Sequence, residues 1–441
     1  MNNFMFGGKP SAKLNSLDDY QDLLEDLMEQ RRYDEVLGTV DFAMKRFPRD
    51  PMLGYYRVCG YFYAHRLREA LAAADAAVGY DPLDAPNLVM RGCVHDDLGN
   101  ADKALADYNR AIELEPDFPD AYFERAVLRE RRNELEPALK DAEMVVKLDP
   151  GYDAGIRLRM ELYERLKRYS EAISDCNRLI AMGKANSGDY VCKVFCQSEM
   201  NMPPEQILPD AVKSTELNLV DPEAWYRRGA VEFAAGRWED CVHSMNRSLQ
   251  YDQKSGGAYS MRGEALWQLG RLEEAGADLD RALASDFGDL DARLCRGRLM
   301  LDLQKPEDAL TDLNTYLEAV KDDATAWGAR GLASRMLGHY DEAKADFLKA
   351  VESAPDYGYG YYMLGDCAAN SGDIKAAEQH VQTAVRCEPD NAWYHLTLGM
   401  LQSQLEKDEA AAASFTAARD IAARHGETAE IDAAIRDFMN N

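Results

Sequence analysis

Positive charge is what the sequence is short of. Its 51 Lys and Arg stand against 78 Asp and Glu, a net charge of −27 over 441 residues. Nucleic acid rewards a basic face, so this deficit argues against a nucleic-acid partner and against an anionic membrane surface. Long apolar runs are missing too. The opening Met1–Lys9 has no basic stretch ahead of its short apolar run, so neither a secretory leader nor a membrane span is expected. The nine cysteines are an odd number, scattered without framework spacing, which excludes a disulfide scaffold and fits a reduced, cytoplasmic protein.

Catalytic motifs are equally scarce. Gly7-Gly8-Lys9-Pro10-Ser11 lacks the spacing of a phosphate loop, and no strand pattern precedes it. Gly358-Tyr359-Gly360 fails the dinucleotide pattern and opens a helical segment. The seven histidines share no motif with an acid or a nucleophile. Cys192 and Cys196 lie one helical turn apart, a spacing that can hold a metal, but zinc needs further ligands and the sequence shows none nearby. No catalytic residue, cofactor or metal site is therefore expected, and the chain reads as a non-enzyme.

What is present is a period. Arg228-Gly229, Arg262-Gly263, Arg296-Gly297 and Arg330-Gly331 are 34 residues apart, and Gly365 and Gly399 extend the series. Ala275, Ala309, Ala343, Ala377 and Ala411 repeat in the same step. A fixed period of this size marks stacked supersecondary units. The clearest unit runs from Leu88 to Pro116: a helix around Arg91-Gly92, a turn at Gly99-Asn100, then a helix carrying Ala104, Tyr108 and Ala111. Small residues let the two backbones approach, the large ones fill between them, and Pro116 ends the second helix.

The order of a large residue, glycine, turn glycine, alanine, aromatic, alanine and proline resembles the tetratricopeptide repeat, from about Leu17 to Ala423. The resemblance implies an all-α, right-handed superhelical solenoid of about twelve antiparallel helix pairs, its inner groove lined by the first helix of each pair. It implies protein–protein recognition without catalysis. Chaperone-binding relatives grip the C-terminal carboxylates of Hsp70 or Hsp90 with a clamp that includes an Asn after the glycine. Here that position holds Cys93, Val127, Glu161, Ala230, Glu264, Arg298, Leu332, Asp366 or Met400, so the clamp is not seen.

The expected organisation is a disordered tail at 1–13, repeats one to five at 14–182, a divergent sixth repeat and irregular joint at 183–225, repeats seven to twelve at 226–423, and a capping helix at 424–441. The phase gains one residue between Arg159 and Arg228, in a region rich in breakers: Gly183, Gly188, Pro203, Pro204, Pro209 and Pro222. A lengthened turn at Met202–Pro209 and a shortened linker at Asp221–Trp225 would produce it, interrupting regular packing.

Two sets of side chains stand out. The arginine before the glycine is followed sixteen residues later by an aspartate in Arg91/Asp107, Arg125/Asp141, Arg159/Asp175, Arg262/Asp278, Arg296/Asp312 and Arg330/Asp346. Where the arginine becomes Leu364 or Leu398 the acid goes too, to His380 or Ser414, so these read as structural ion pairs between the two helices of one repeat. Arg228 faces Ser244 instead and reads as the one such arginine lacking its acid. The second set lines the expected groove: Tyr56, Tyr63, Phe123, Phe195, Tyr226, Arg227, Arg228, Phe233, Trp267, Arg298 and Tyr362, with an acidic wall of Asp96, Asp97, Glu130, Glu161 and Glu164. Aromatic and arginine side chains are common binding anchors. The expected function is an adaptor gripping an extended or helical partner segment with a basic stretch. The alternative is a scaffold that assembles a larger complex, or itself, through its edges and the 201–225 break.

Overall fold

The computed structural model describes residues 16–285 and 289–440, so the tail expected at 1–13 lies outside the described residues. Those residues form 25 helices and no strand. The helices pair in order, from α1 (Leu17–Glu29) with α2 (Tyr33–Ala43) to α23 (Ala392–Gln404) with α24 (Asp408–His425). A last helix, α25 (Thr428–Asn440), buries Ile431 and Ile435 against α23 and α24. The chain is an all-α solenoid of antiparallel helix pairs, and it divides into two compact halves, one ending at Leu219 and the other starting at Val220. No described helix is long and apolar enough to cross a membrane.

Packing within a pair follows from residue size. In α5 (Ala85–Asp97) and α6 (Ala101–Leu114), a Cβ on Gly92 would sit 2.4 Å from the Tyr108 ring. Only glycine lets that ring lie flat on the α5 backbone. Tyr108 is fully buried as a result, beside Ala104 and Ala111.

Each pair turns through one left-handed residue, at 31, 65, 99, 133, 167, 201, 236, 270, 304, 338, 372 and 406. Five of these are glycine, the residue suited to positive φ; the others include Lys167 (φ 58°) and Gln304 (φ 56°). The step is 34 everywhere except from Asn201 to Gly236, where it is 35. The extra residue therefore sits beside Pro203, in the turn between α11 (Ser187–Glu199) and α12 (Pro204–Leu217).

Within 183–225, α11 and α12 form an ordinary pair, and Pro209 lies inside α12. One expectation is corrected here: the linker before α13 (Pro222–Ala234) is not shortened. It has four residues, Asn218–Asp221, like Glu115–Phe118 between α6 and α7 (Pro119–Arg131). Prolines in the first turns of a helix lack only an N–H that has no intrahelical partner, so Pro204 and Pro222 start helices here.

Candidate partner-binding face

Neighbouring pairs touch unequally. Within the first half the odd-numbered helices pack on one another in series: α1 on α3 (Pro51–Tyr63), α3 on α5, α5 on α7, α7 on α9 (Asp153–Arg165), and α9 on α11. In the second half α13 packs on α15 (Gly256–Gln268), α15 on α17 (Leu290–Asp302), α17 on α19 (Ala324–Met336), and α19 on α21 (Gly358–Asn370). No two even-numbered helices make an extended contact among the described residues. Helices that crowd together lie on the inside of a curve, so the odd helices form the inner face of each half.

The arginine before the glycine lies on this layer and reaches back into the even helices. Arg91 Nε and Nη2 donate to the two Asp107 carboxylate oxygens at 2.8 and 2.6 Å, and Arg125, Arg159, Arg262, Arg296 and Arg330 hold Asp141, Asp175, Asp278, Asp312 and Asp346 in the same two-pronged way. All six aspartates are buried. A further bond runs the other way along the chain. Arg125 Nη1 donates to Asn109 at 2.6 Å, Arg262 to Asn246 at 2.5 Å, Arg296 to Asp280 at 2.7 Å and Arg330 to Asn314 at 2.9 Å. Each of these arginines thus bridges the even helix of its own repeat and that of the repeat before. The sequence reading missed the second partner, although it too lies sixteen residues away.

The reading of Arg228 as lacking its acid is corrected. Arg228 Nε donates to Glu232 Oε1 at 2.8 Å, and Ser244 Oγ donates to Glu232 Oε2 at 2.6 Å. The carboxylate has moved from the second helix to the first, and Ser244 takes the vacated space. Leu398 shows a neutral form of the same exchange, with Ser414 Oγ donating to Gln402 Oε1 at 2.8 Å.

Most candidate aromatics are half-buried, with one face packed. Phe123 stacks on Tyr152 and Tyr362 on Tyr394; Tyr63, more open, stacks on Tyr33. Phe195 meets Tyr169 edge-on, and Tyr56 donates its hydroxyl to Glu25 at 3.3 Å. Arg227 is paired with Glu223 at 2.6 Å and leans over Tyr226. The structure brings together Tyr226, Phe233 and Trp267, which border a single core cluster in the second half. Phe233 packs edge-on to Trp238. The Arg298 guanidinium lies 4.9 Å from the centre of the Trp267 ring, and Trp267 Nε1 donates to Asp302 Oδ2 at 2.6 Å.

The acidic wall is less uniform than its sequence suggests. Asp96 is bonded to Arg131 and Glu130 to Arg165, so two of its five acids carry a basic neighbour from the next repeat. Asp97 is exposed. Desolvation by the surrounding helices, then repulsion from Glu130 and Glu164, holds the Glu161 carboxyl above its usual range. Burial does the same to Glu124 on α7, and the Cys93 thiol bonded to it offsets part of the effect.

Glu164 has company that sequence spacing could not reveal. Its carboxylate and the Cys192 and Cys196 sulfurs lie within 4.8 Å of one another. The expectation that these cysteines have no further ligand nearby is therefore corrected, the third donor coming from α9, the odd helix next to α11.

Sequence profiles of the tetratricopeptide repeat match residues 96–131, 226–289, 296–358 and 335–392. The chain belongs to the tetratricopeptide repeat family. A U-box domain-containing protein 70 from Oryza sativa subsp. japonica is 32% identical over 91 residues, which are 21% of this chain and 11% of that protein. The chain therefore spans about a ninth of that relative's length. Among solved structures, the APC/C hetero-tetramer Cut9-Hcn1 has a chain similar over 95% of this one and 96% of its own, at 11% identity and a TM-score of 0.50. That likeness is one of fold. YrrB, described as a TPR protein with an unusual peptide-binding site, is 21% identical over 45% of this chain and 97% of its own, with a TM-score of 0.37.

Proposed function

We propose that this tetratricopeptide array is a non-catalytic adaptor that holds an extended or helical protein segment on its inner, odd-helix face. Family membership supports protein recognition as the general role. The observation that carries the finer reading is the group of Tyr226, Phe233 and Trp267 on α13 and α15, half-buried over one core cluster with Arg298 stacked on the indole. Rings fixed by their packed faces keep their remaining surface in place, so a partner pays little ordering entropy to bury it.

The acids of the first half favour a basic stretch in the partner. Glu161 carries the repulsion of Glu130 and Glu164, which a lysine or arginine brought alongside would relieve. The test is to isolate what co-purifies with the chain from its native host, identify it by mass spectrometry, and map the bound segment. A folded Tyr226→Ala/Trp267→Ala double variant should lose that segment. Normal retention by the double variant would place the site elsewhere, on the even helices.

A further inference from the structure

We propose that Glu164, Cys192 and Cys196 form a binding site for one thiophilic divalent cation of the zinc class. Cys192 and Cys196 stand one turn apart on α11, so both sulfurs face the same way. Glu164 comes from α9, the helix packed against that side, and the three donor atoms converge within 4.8 Å. Two thiolates and one carboxylate suit a soft or borderline d¹⁰ ion, whereas magnesium and calcium demand oxygen ligands throughout. The fourth position of a tetrahedral ion is left to water.

Cys192 and Cys196 are buried and Glu164 is half-buried, and Cys176 belongs to the same core cluster as the two cysteines. Cys176 itself is engaged in packing: its thiol lies 3.1 Å from Met160 Sδ and donates to the Asp189 carbonyl at 3.3 Å. Binding exchanges two thiol protons for one metal ion, with the protons leaving to solvent and no change of oxidation state. The bound ion would tie α9 to α11, a junction already linked by the Arg157 pair with Asp189 at 3.0 Å.

The experiment titrates reduced, metal-free full-length protein with Cd(II), and then displaces the cadmium with Zn(II). One equivalent of cadmium should produce a thiolate-to-metal charge-transfer absorption and release two protons to an indicator dye. Cys192→Ser and Cys196→Ser should each abolish the absorption, whereas Cys241→Ser in the second half should leave it unchanged. Glu164→Gln should keep the absorption but weaken zinc binding by about tenfold or more. Should the cysteine variants fail to fold, Glu164→Gln decides the matter, because its side chain is only half-buried. Absorption that persists in Cys196→Ser, or zinc affinity unchanged in Glu164→Gln, would overturn the site.

Discussion

Arg228 is neutralised by Glu232, one turn further along its own helix, and Ser244 hydrogen-bonds the far oxygen of that carboxylate. Six other repeats place the acid on the second helix instead. The two arrangements satisfy the same guanidinium from opposite sides of one interface. Glu232 is fully buried, so Glu232→Ala should destabilise the protein by about 3 kcal/mol, by removing the buried carboxylate that Arg228 and Ser244 share. Adding Ser244→Asp, with Leu at 232 in place of Ala, copies the Arg262, Leu266 and Asp278 set of another repeat and should recover most of the loss. Urea unfolding midpoints measure both, and a double variant no better than Glu232→Ala would refute the exchange.

The pairs themselves should differ in how far they can be rescued. Asp175→Ala and Asp312→Ala should each cost about 3 kcal/mol, since each leaves a half-buried arginine without its main partner. Changing Arg159 to Leu together with Asp175→Ser should restore much of the first loss. The equivalent Arg296→Leu, Asp312→Ser variant should recover less, because the buried Arg293 lies 3.5 Å from Asp312 and loses that carboxylate. Equal recovery at both sites would contradict this ranking.

The left-handed turn residues make a separate prediction. A side chain at positive φ costs about 1 kcal/mol that glycine avoids, although glycine gives part of it back in unfolded-state entropy. Gln304→Gly should therefore raise the melting temperature modestly, and Gly338→Ala should lower it by the equivalent of about 1 kcal/mol. A lower melting temperature for Gln304→Gly would show that its side chain contributes more than its backbone costs.

Stability should also respond to pH through Glu124. Its folded-state proton affinity is raised, mainly by burial, so the folded chain holds this proton at pH values where the unfolded chain has released it. As pH rises from the ordinary glutamate range through the raised value, the group withdraws stability. Glu124→Gln should raise the melting temperature at pH 7.5 and do so less at pH 5. An equal gain at both values would assign the effect to something other than ionisation.

Much of the architecture was legible because each repeat writes its own contacts in nearly the same positions. The sixteen-residue step from Arg91 to Asp107 lies inside one pair, where helix length and turn fix which side chains meet. Partners in adjacent repeats were harder to see. Asp96 with Arg131, Trp267 with Asp302, and Glu164 with Cys192 are separated by 35, 35 and 28 residues. Those offsets depend on the rotation from one pair to the next, which no single pair encodes. Glu232 was missed for another reason: its acid sits on the helix where the repeat normally carries none. Pro204 and Pro222 read as breakers because composition alone does not distinguish a helix start from a break.

The backward bond of the repeat arginines has a mechanical consequence. Among the described residues the even helices make no extended contact with one another, so direct packing does not close the space between them on the outer side of each half. What spans that space is a guanidinium, tied on one side to the buried carboxylate of its own repeat and on the other to an exposed asparagine or aspartate such as Asp280. The first tie is rigid and the second is easily exchanged for solvent. Each half should therefore behave as a spring whose inner edge is stiff and whose outer edge is held by releasable catches. Loss of Asp280 would then soften the coil with little cost to its folding.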